Sequence, residues 1–215
     1  RLVTVVGEGG IGKTRLALAV AQSFVEEVMA QPAASRGQTP WLFRDGIGYI
    51  PLVGLTVSET LVDQLVTAVA KALHFQFSGK EPLLQQLQDY LRDKALLLLL
   101  DNMEHLLPQA ADFLVELLQG APQLRMLATS RHLLNLQAEA VVRLAGLPTP
   151  PAQDAPTLAP LALLTYSSVA LFVERAQRAS SARGDQYRVS PLCSDLDNHS
   201  LDYSNQSRYR LRRSY

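Results

Sequence analysis

Gly7-Glu8-Gly9-Gly10-Ile11-Gly12-Lys13-Thr14 sets two glycines, a lysine and a hydroxyl at the spacing Gly-x4-Gly-Lys-Thr. That combination suits one kind of ligand, a chain of phosphates held as in a P-loop. Oxygens so densely anionic must be wrapped closely by backbone N–H groups, and glycine permits the bend because no Cβ intervenes. Lys13 would reach the β and γ phosphates, and the Thr14 hydroxyl would hold Mg2+ beside them. Gly7, Glu8, Gly9, Gly10, Ile11, Gly12 and Arg15 complete the candidate nucleotide-binding stretch. The alternative is an ordinary turn joining a strand to a helix, made of the same glycines and holding nothing.

A carboxylate stands at the end of another apolar run, Ala95-Leu-Leu-Leu-Leu-Leu100, as Asp101. Mg2+ keeps several waters and needs only one or two protein oxygens, so Thr14 and Asp101 form a sufficient candidate metal pair. A helix cap or solvated turn is the other use of such an aspartate. Hydrolysis also needs a group that orients or deprotonates water. Many P-loop ATPases place a carboxylate directly after the aspartate, and here Asn102 occupies that position. An amide takes up no proton, so turnover is expected to be slow unless Glu104, the nearest substitute, does the work. Glu104 could equally be a first-turn acid at a helix N-terminus, and His105 reads as a helix-entry or packing residue. Arg131, which closes Thr129-Ser130-Arg131, could sense the γ-phosphate through its planar fork, or form a surface ion pair.

These groups must be brought together by the elements between them. The β-prone opening Arg1-Leu-Val-Thr-Val-Val6 predicts a strand, and a helix over residues 13–29 follows it, apolar all round as if sandwiched beside a sheet. Residues 31–40 read as a loop. Trp41-Leu-Phe43 with residues 46–53 predicts a second strand, and Pro51 argues for a place at or near a sheet edge. A helix capped by Thr56 or Ser58 runs to Leu73, with Leu61, Leu65, Val69 and Leu73 on one face, and another runs from Glu81 or Pro82 to Arg92. The run 95–100 lacks alternation, which marks a strand buried on both faces.

A helix over residues 108–119 closed by Gly120, a strand over 124–129 and a shorter one over 140–144 complete the series. Strands alternating with helices imply a parallel sheet, with ligands at its carboxyl ends. The predicted fold class is therefore α/β: a three-layer α/β/α P-loop NTPase with a five-stranded parallel sheet, followed by the start of a helical lid. The nucleotide-binding core should span residues 1–147, a proline-rich connector 148–162, and the beginning of a helical subdomain 163–187. In that last helix Val169, Phe172, Val173 and Ala176 should face inward. Residues 188–215, rich in Ser, Asn, Asp and Arg, are expected to form a disordered or aberrant tail.

Bulk properties narrow the classes of partner. Across 215 residues, 20 basic and 20 acidic side chains cancel, so no net field draws the chain to nucleic acid or anionic membrane. No apolar run approaches the roughly 20 residues needed to span a bilayer. The single cysteine, Cys193, forms no internal disulfide and fits a reducing cytoplasm. The chain begins without Met and inside a core strand, from which we expect a fragment of a longer protein.

Residues 7–17, 98–106 and 127–131 together resemble STAND-type ATPases close to the NB-ARC group, and more narrowly the nucleotide-binding module of bacterial LuxR- or AfsR-like transcriptional regulators. Leu171-Phe-Val-Glu-Arg-Ala176 also resembles the helix that follows the core there. The resemblance implies a switch: ADP held in a closed resting form, exchange for ATP on a signal, then opening and self-association. By position it gives Lys13 and Thr14 the phosphates and Mg2+, Asp101 the metal, and Arg131 the γ-phosphate. DNA would be met only through domains outside this chain. The family's Gly-Leu-Pro-Leu-Ala segment is missing after residue 183, and a truncation or frame shift would explain the change of character from residue 190.

The leading expectation is thus an ATP/ADP switch with weak ATPase activity. A fast-cycling NTPase or small-molecule kinase, and a non-hydrolysing ADP-bound scaffold, are the competing readings.

Overall fold

The computed structural model describes residues 1–30, 42–152 and 158–183. The chain divides into one compact unit over Arg1–Gly146 and a second over Leu147–Tyr215. The first contains β1 (Leu2–Val6), α1 (Lys13–Ala30), β2 (Gly46–Pro51), α2 (Leu61–Ala72), α3 (Leu83–Leu91), β3 (Leu96–Asp101), a 3-10 turn (Met103–Leu106), α4 (Ala110–Gly120), β4 (Arg125–Ser130) and β5 (Glu139–Arg143). Its five strands form one sheet in the order β2-β3-β4-β1-β5, and every pairing is parallel. Parallel neighbours need crossovers, and the intervening helices supply them. All five carboxyl ends therefore lie along the same edge of the sheet.

Helices cover both faces, which gives the expected three layers. On one face Leu2, Leu98, Leu100, Met126 and Ala128 pack with Leu65, Val69, Leu87, Phe113 and Leu117 from α2, α3 and α4. On the other, Val5, Leu97, Leu99 and Leu127 pack with Ala17 and Ala21 of α1. Successive strand side chains point to opposite faces, so the leucines of β3 divide between the two layers. Its five leucines are all buried, the reason the run shows no polar alternation.

The structure corrects several local expectations. β2 begins at Gly46, whereas Leu42 and Phe43 lie in a turn closed by the Gly46 N–H donating to the Phe43 carbonyl. Phe43 instead meets Phe24 of α1 edge-on, with ring centroids 5.1 Å apart. Trp41 and the predicted loop 31–40 lie outside the described residues. β2 is an edge strand, and Pro51 is its last residue, where a missing N–H costs the ladder little. α2 starts only at Leu61, and Thr60 precedes it without a side-chain cap. The Gln64 amide nitrogen instead donates to the hydroxyls of Ser58 and Thr60. Among the described residues nothing covers the outer side of α1, where Leu16, Leu18 and Val25 are exposed; its sheet-facing stripe is built on Ala17 and Ala21.

The second unit contains α5 (Pro160–Leu163) and α6 (Ser167–Arg183). The Ser168 hydroxyl donates to the Pro148 carbonyl at 2.7 Å, which ties α6 to the proline-rich segment. Phe172, expected inward, is 73% exposed, because α6 has more apolar residues than its described neighbours in that unit cover. Residues 184–215, including the expected tail, lie outside the described residues.

Candidate functional site

β1 runs directly into the glycine loop at the carboxyl edge of the sheet. Leu144 N–H donates to the Val6 carbonyl at 2.8 Å, and a Cβ on Gly7 would sit 2.8 Å from the Leu144 carbonyl oxygen, so this position tolerates no side chain. Gly10 and Gly12 adopt φ of +78° and +103°, in the left-handed region that glycine alone enters freely. A Cβ built at either would meet no atom within 4 Å, so the loop presents bare backbone to open space. The first helical bond runs from Leu16 N–H to the Gly12 carbonyl, and α1 has no acid in its first turn to compete for the helix's positive end. These features suit an anion.

The Lys13 ammonium folds back over the loop and donates to the carbonyls of Gly7 at 2.8 Å and Glu8 at 2.9 Å. Its charge is thereby stored beside the place where phosphates would enter. Ile11 is half-buried, whereas the side chains of Glu8 and Arg15 point to solvent.

Asp101 gathers three hydroxyls. Its Oδ1 accepts from Thr14 at 2.7 Å and Thr129 at 2.6 Å, and its Oδ2 accepts from Tyr49 at 3.2 Å. The Thr14 bond joins the glycine loop's helix to the end of β3 across 87 residues of sequence. A hydroxyl that donates to Asp101 keeps a lone pair for a hard cation, so Thr14 and Asp101 form a donor set of the kind Mg2+ takes. Among the described residues no group of three or more His, Cys, Asp or Glu could hold a metal by itself. Burial, and then the negative charge of Asp101 and its hydrogen bond, push the Tyr49 phenol above its ordinary pKa.

Asn102 has φ of +71°, and its N–H donates to the Thr129 hydroxyl at 3.0 Å. Its side-chain nitrogen lies 3.1 Å from His105 Nδ1, and His105 Nε2 lies 3.1 Å from the Leu55 carbonyl. An amide nitrogen only donates, so Nδ1 accepts and Nε2 carries the hydrogen given to Leu55. His105 is therefore a bridge from Asn102 to the loop after β2, beyond simple packing.

Glu104, in the 3-10 turn, meets Arg131 just past β4. Arg131 Nε lies 3.0 Å from Glu104 Oε1, the arginine side chain 58% exposed and the glutamate 13%. The other glutamate oxygen is buried without a hydrogen-bond partner among the described residues. The guanidinium carbon also lies 3.5 Å from where a Cβ on Gly9 would stand. Arg131 thus spans the candidate base and the phosphate loop.

Sequence reasoning passed over the roles of Thr129 and Tyr49. Thr129 is 1% exposed, so a polar residue in an otherwise apolar stretch was the available signal. Tyr49 gave none, because its approach to Asp101 depends on which strands are neighbours.

The model of the AAA_22 family, described as an AAA domain, matches residues 1–150. The chain belongs to that family. Domains with this parallel-sheet P-loop fold generally bind nucleotide with Mg2+. This AAA domain is 30% identical over 201 residues to Rv0890c of Mycobacterium tuberculosis, which bears the name of an HTH-type transcriptional regulator, and the match covers 92% of this chain. It is 28% identical over 181 residues, 84% of its length, to Rv0894 of the same organism, named only as an uncharacterized protein. The chain spans 19% of the length of the first relative and 37% of the second. Among solved structures it aligns with Cdc6p from Pyrobaculum aerophilum at TM-score 0.49 and 17% identity, over 69% of this chain and 39% of that one. No described helix is long and apolar enough to cross a membrane.

Proposed function

We propose that this AAA domain is an ATP/ADP-binding switch with slow ATPase activity, a module of a larger signal-responsive transcriptional regulator of the STAND type. The observation that carries the reading is the Arg131–Glu104 ion pair beside the loop at Gly9. The cation suited to a γ-phosphate is held by the carboxylate suited to activating water, so neither is free while the other is bound. The name of the mycobacterial relative supports the regulator context, and DNA would be met by parts of the protein beyond this chain.

In this reading the N–H groups of Gly9 to Lys13 wrap the β-phosphate, and Lys13 leaves the carbonyls of Gly7 and Glu8 for phosphate oxygens. Thr14 and Asp101 would hold Mg2+, which when bound would supply charge neutralisation. Arg131 exchanges Glu104 for the γ-phosphate, which only ATP offers. Glu104, released, accepts a proton from water. Glu104 can do so only while Arg131 has let it go, and Asn102, held by His105 directly after Asp101, has no proton-accepting group to replace it, so hydrolysis is slow. The ATP form self-associates in the cytoplasm.

The test is binding of ATP and ADP with Mg2+ together with single-turnover hydrolysis. Tighter binding of ATP than ADP that Arg131→Ala abolishes, with turnover well below one per second, supports the switch. A rate of many per second would place the domain with fast-cycling enzymes. Equal binding of both nucleotides, unchanged in the variant, would make it a scaffold.

A further inference from the structure

We infer that Tyr49 is a positioning residue for the metal-facing carboxylate, and that it sets how strongly Mg2+ strengthens nucleotide binding. The inference rests on the nucleotide reading and adds a residue to that site. In the β2–β3 register Tyr49 stands opposite Leu99, and Asp101 lies one residue beyond Leu100 on the same face as Leu99. A diagonal cross-strand neighbour of this kind lies within reach of a long aromatic side chain. Leu99 packs in the layer of α1, the helix that carries Lys13 and Thr14, so Tyr49 approaches Asp101 from the loop's own side of the sheet.

The acceptor capacity of Asp101 gives the hydroxyl its consequence. A carboxylate oxygen offers about two acceptor sites. Oδ1 uses both on Thr14 and Thr129, at 2.7 and 2.6 Å. Any water of a Mg2+ ion seated at Thr14 must therefore use Oδ2, where Tyr49 takes one site and leaves one. The phenol fixes the carboxylate plane from the outside while the threonines fix it from within, so the remaining site keeps one direction. Without the phenol no described residue donates to Oδ2, and the two threonines on Oδ1 leave the carboxylate free to turn about that oxygen, so ordering it costs metal affinity.

Tyr49 is 39% exposed on an edge strand, so Tyr49→Phe removes the hydroxyl while leaving the ring's packing. The experiment titrates Mg2+ against the full chain with mant-ADP and repeats the binding in EDTA. The expected result is a drop of about fivefold in the Mg2+-dependent gain in affinity, with EDTA binding as in wild type, the scale of one charge-assisted hydrogen bond at a half-exposed site. An undiminished Mg2+ gain, or an equal loss with and without Mg2+, overturns the positioning role and leaves the nucleotide reading standing. Absence of mant-ADP binding by the wild-type chain overturns both.

Discussion

Arg131 Nε stands 3.0 Å from Glu104 Oε1, with its guanidinium carbon 3.5 Å from the Cβ position of Gly9. The arginine is exposed but the glutamate is not, so removing the cation would leave a mostly buried carboxylate without its partner. The pair joins the end of β4 to the turn after β3 at the mouth of the loop.

Arg131→Ala should therefore lower the unliganded stability by about 1 kcal/mol or more, because a mostly buried carboxylate is left unpaired. Its effect should also appear in the ratio of ATP to ADP affinity, lowered about tenfold for loss of one charge-assisted contact. Isothermal titration with both nucleotides measures it, and an unchanged ratio would remove Arg131 from γ-phosphate sensing.

Lys13→Ala should weaken ATP and ADP together, by about tenfold or more, because the β-phosphate common to both loses its ammonium partner. In the free protein the ammonium serves only two loop carbonyls, so unliganded stability should barely change. Thermal shift with and without nucleotide separates the two effects.

Thr129→Val keeps the side-chain volume and removes a buried hydroxyl that donates to Asp101 and accepts from the Asn102 N–H. That N–H, on a residue in the left-handed conformation, then loses its partner at a cost of about 1–3 kcal/mol. Chemical denaturation should show the loss without nucleotide present. Wild-type stability would mean that water replaces the hydroxyl.

Two groups give opposite pH signatures. Burial would raise the Asp45 pKa, but the Ala95 N–H together with Lys94 and Arg44 outweighs it and holds the carboxyl below its ordinary value. The stabilisation is complete above the unfolded-chain value of about 3.9 and is lost as pH falls through the lower folded value. Asp45→Asn should be less stable at neutral pH and converge with wild type in strong acid. Tyr49, with its pKa raised, behaves in reverse: its contribution holds below the unfolded-chain value of about 10 and is lost as pH rises through the folded value. Tyr49→Phe should flatten the alkaline arm of the stability curve.

The strands and helices were legible because local patterns encode them. An unalternating leucine run announced β3, and Leu61, Leu65 and Val69 announced the buried face of α2. The errors came where tertiary surroundings overrode local pattern. The apolar outer side of α1 suggested a cover that the described residues do not supply, and Leu42 and Phe43 look like strand residues yet lie in a turn where Phe43 meets Phe24. Within the site, Lys13, Thr14, Asp101, Glu104 and Arg131 stood out as residue types. That Glu104 and Arg131 hold each other did not, since nothing local links the turn after β3 to the end of β4.

By itself the sequence determined the glycine loop and the alternation of strands with helices, because backbone freedom at glycine and hydrophobic period are properties of a few consecutive residues. The tertiary structure alone decided that Thr14, Thr129 and Tyr49 converge on one carboxylate, across separations of 87, 28 and 52 residues. Those meetings follow from strand order: with β3 seated between β2 and β4, and β1 beyond β4, the ends of distant segments become neighbours along one edge of the sheet.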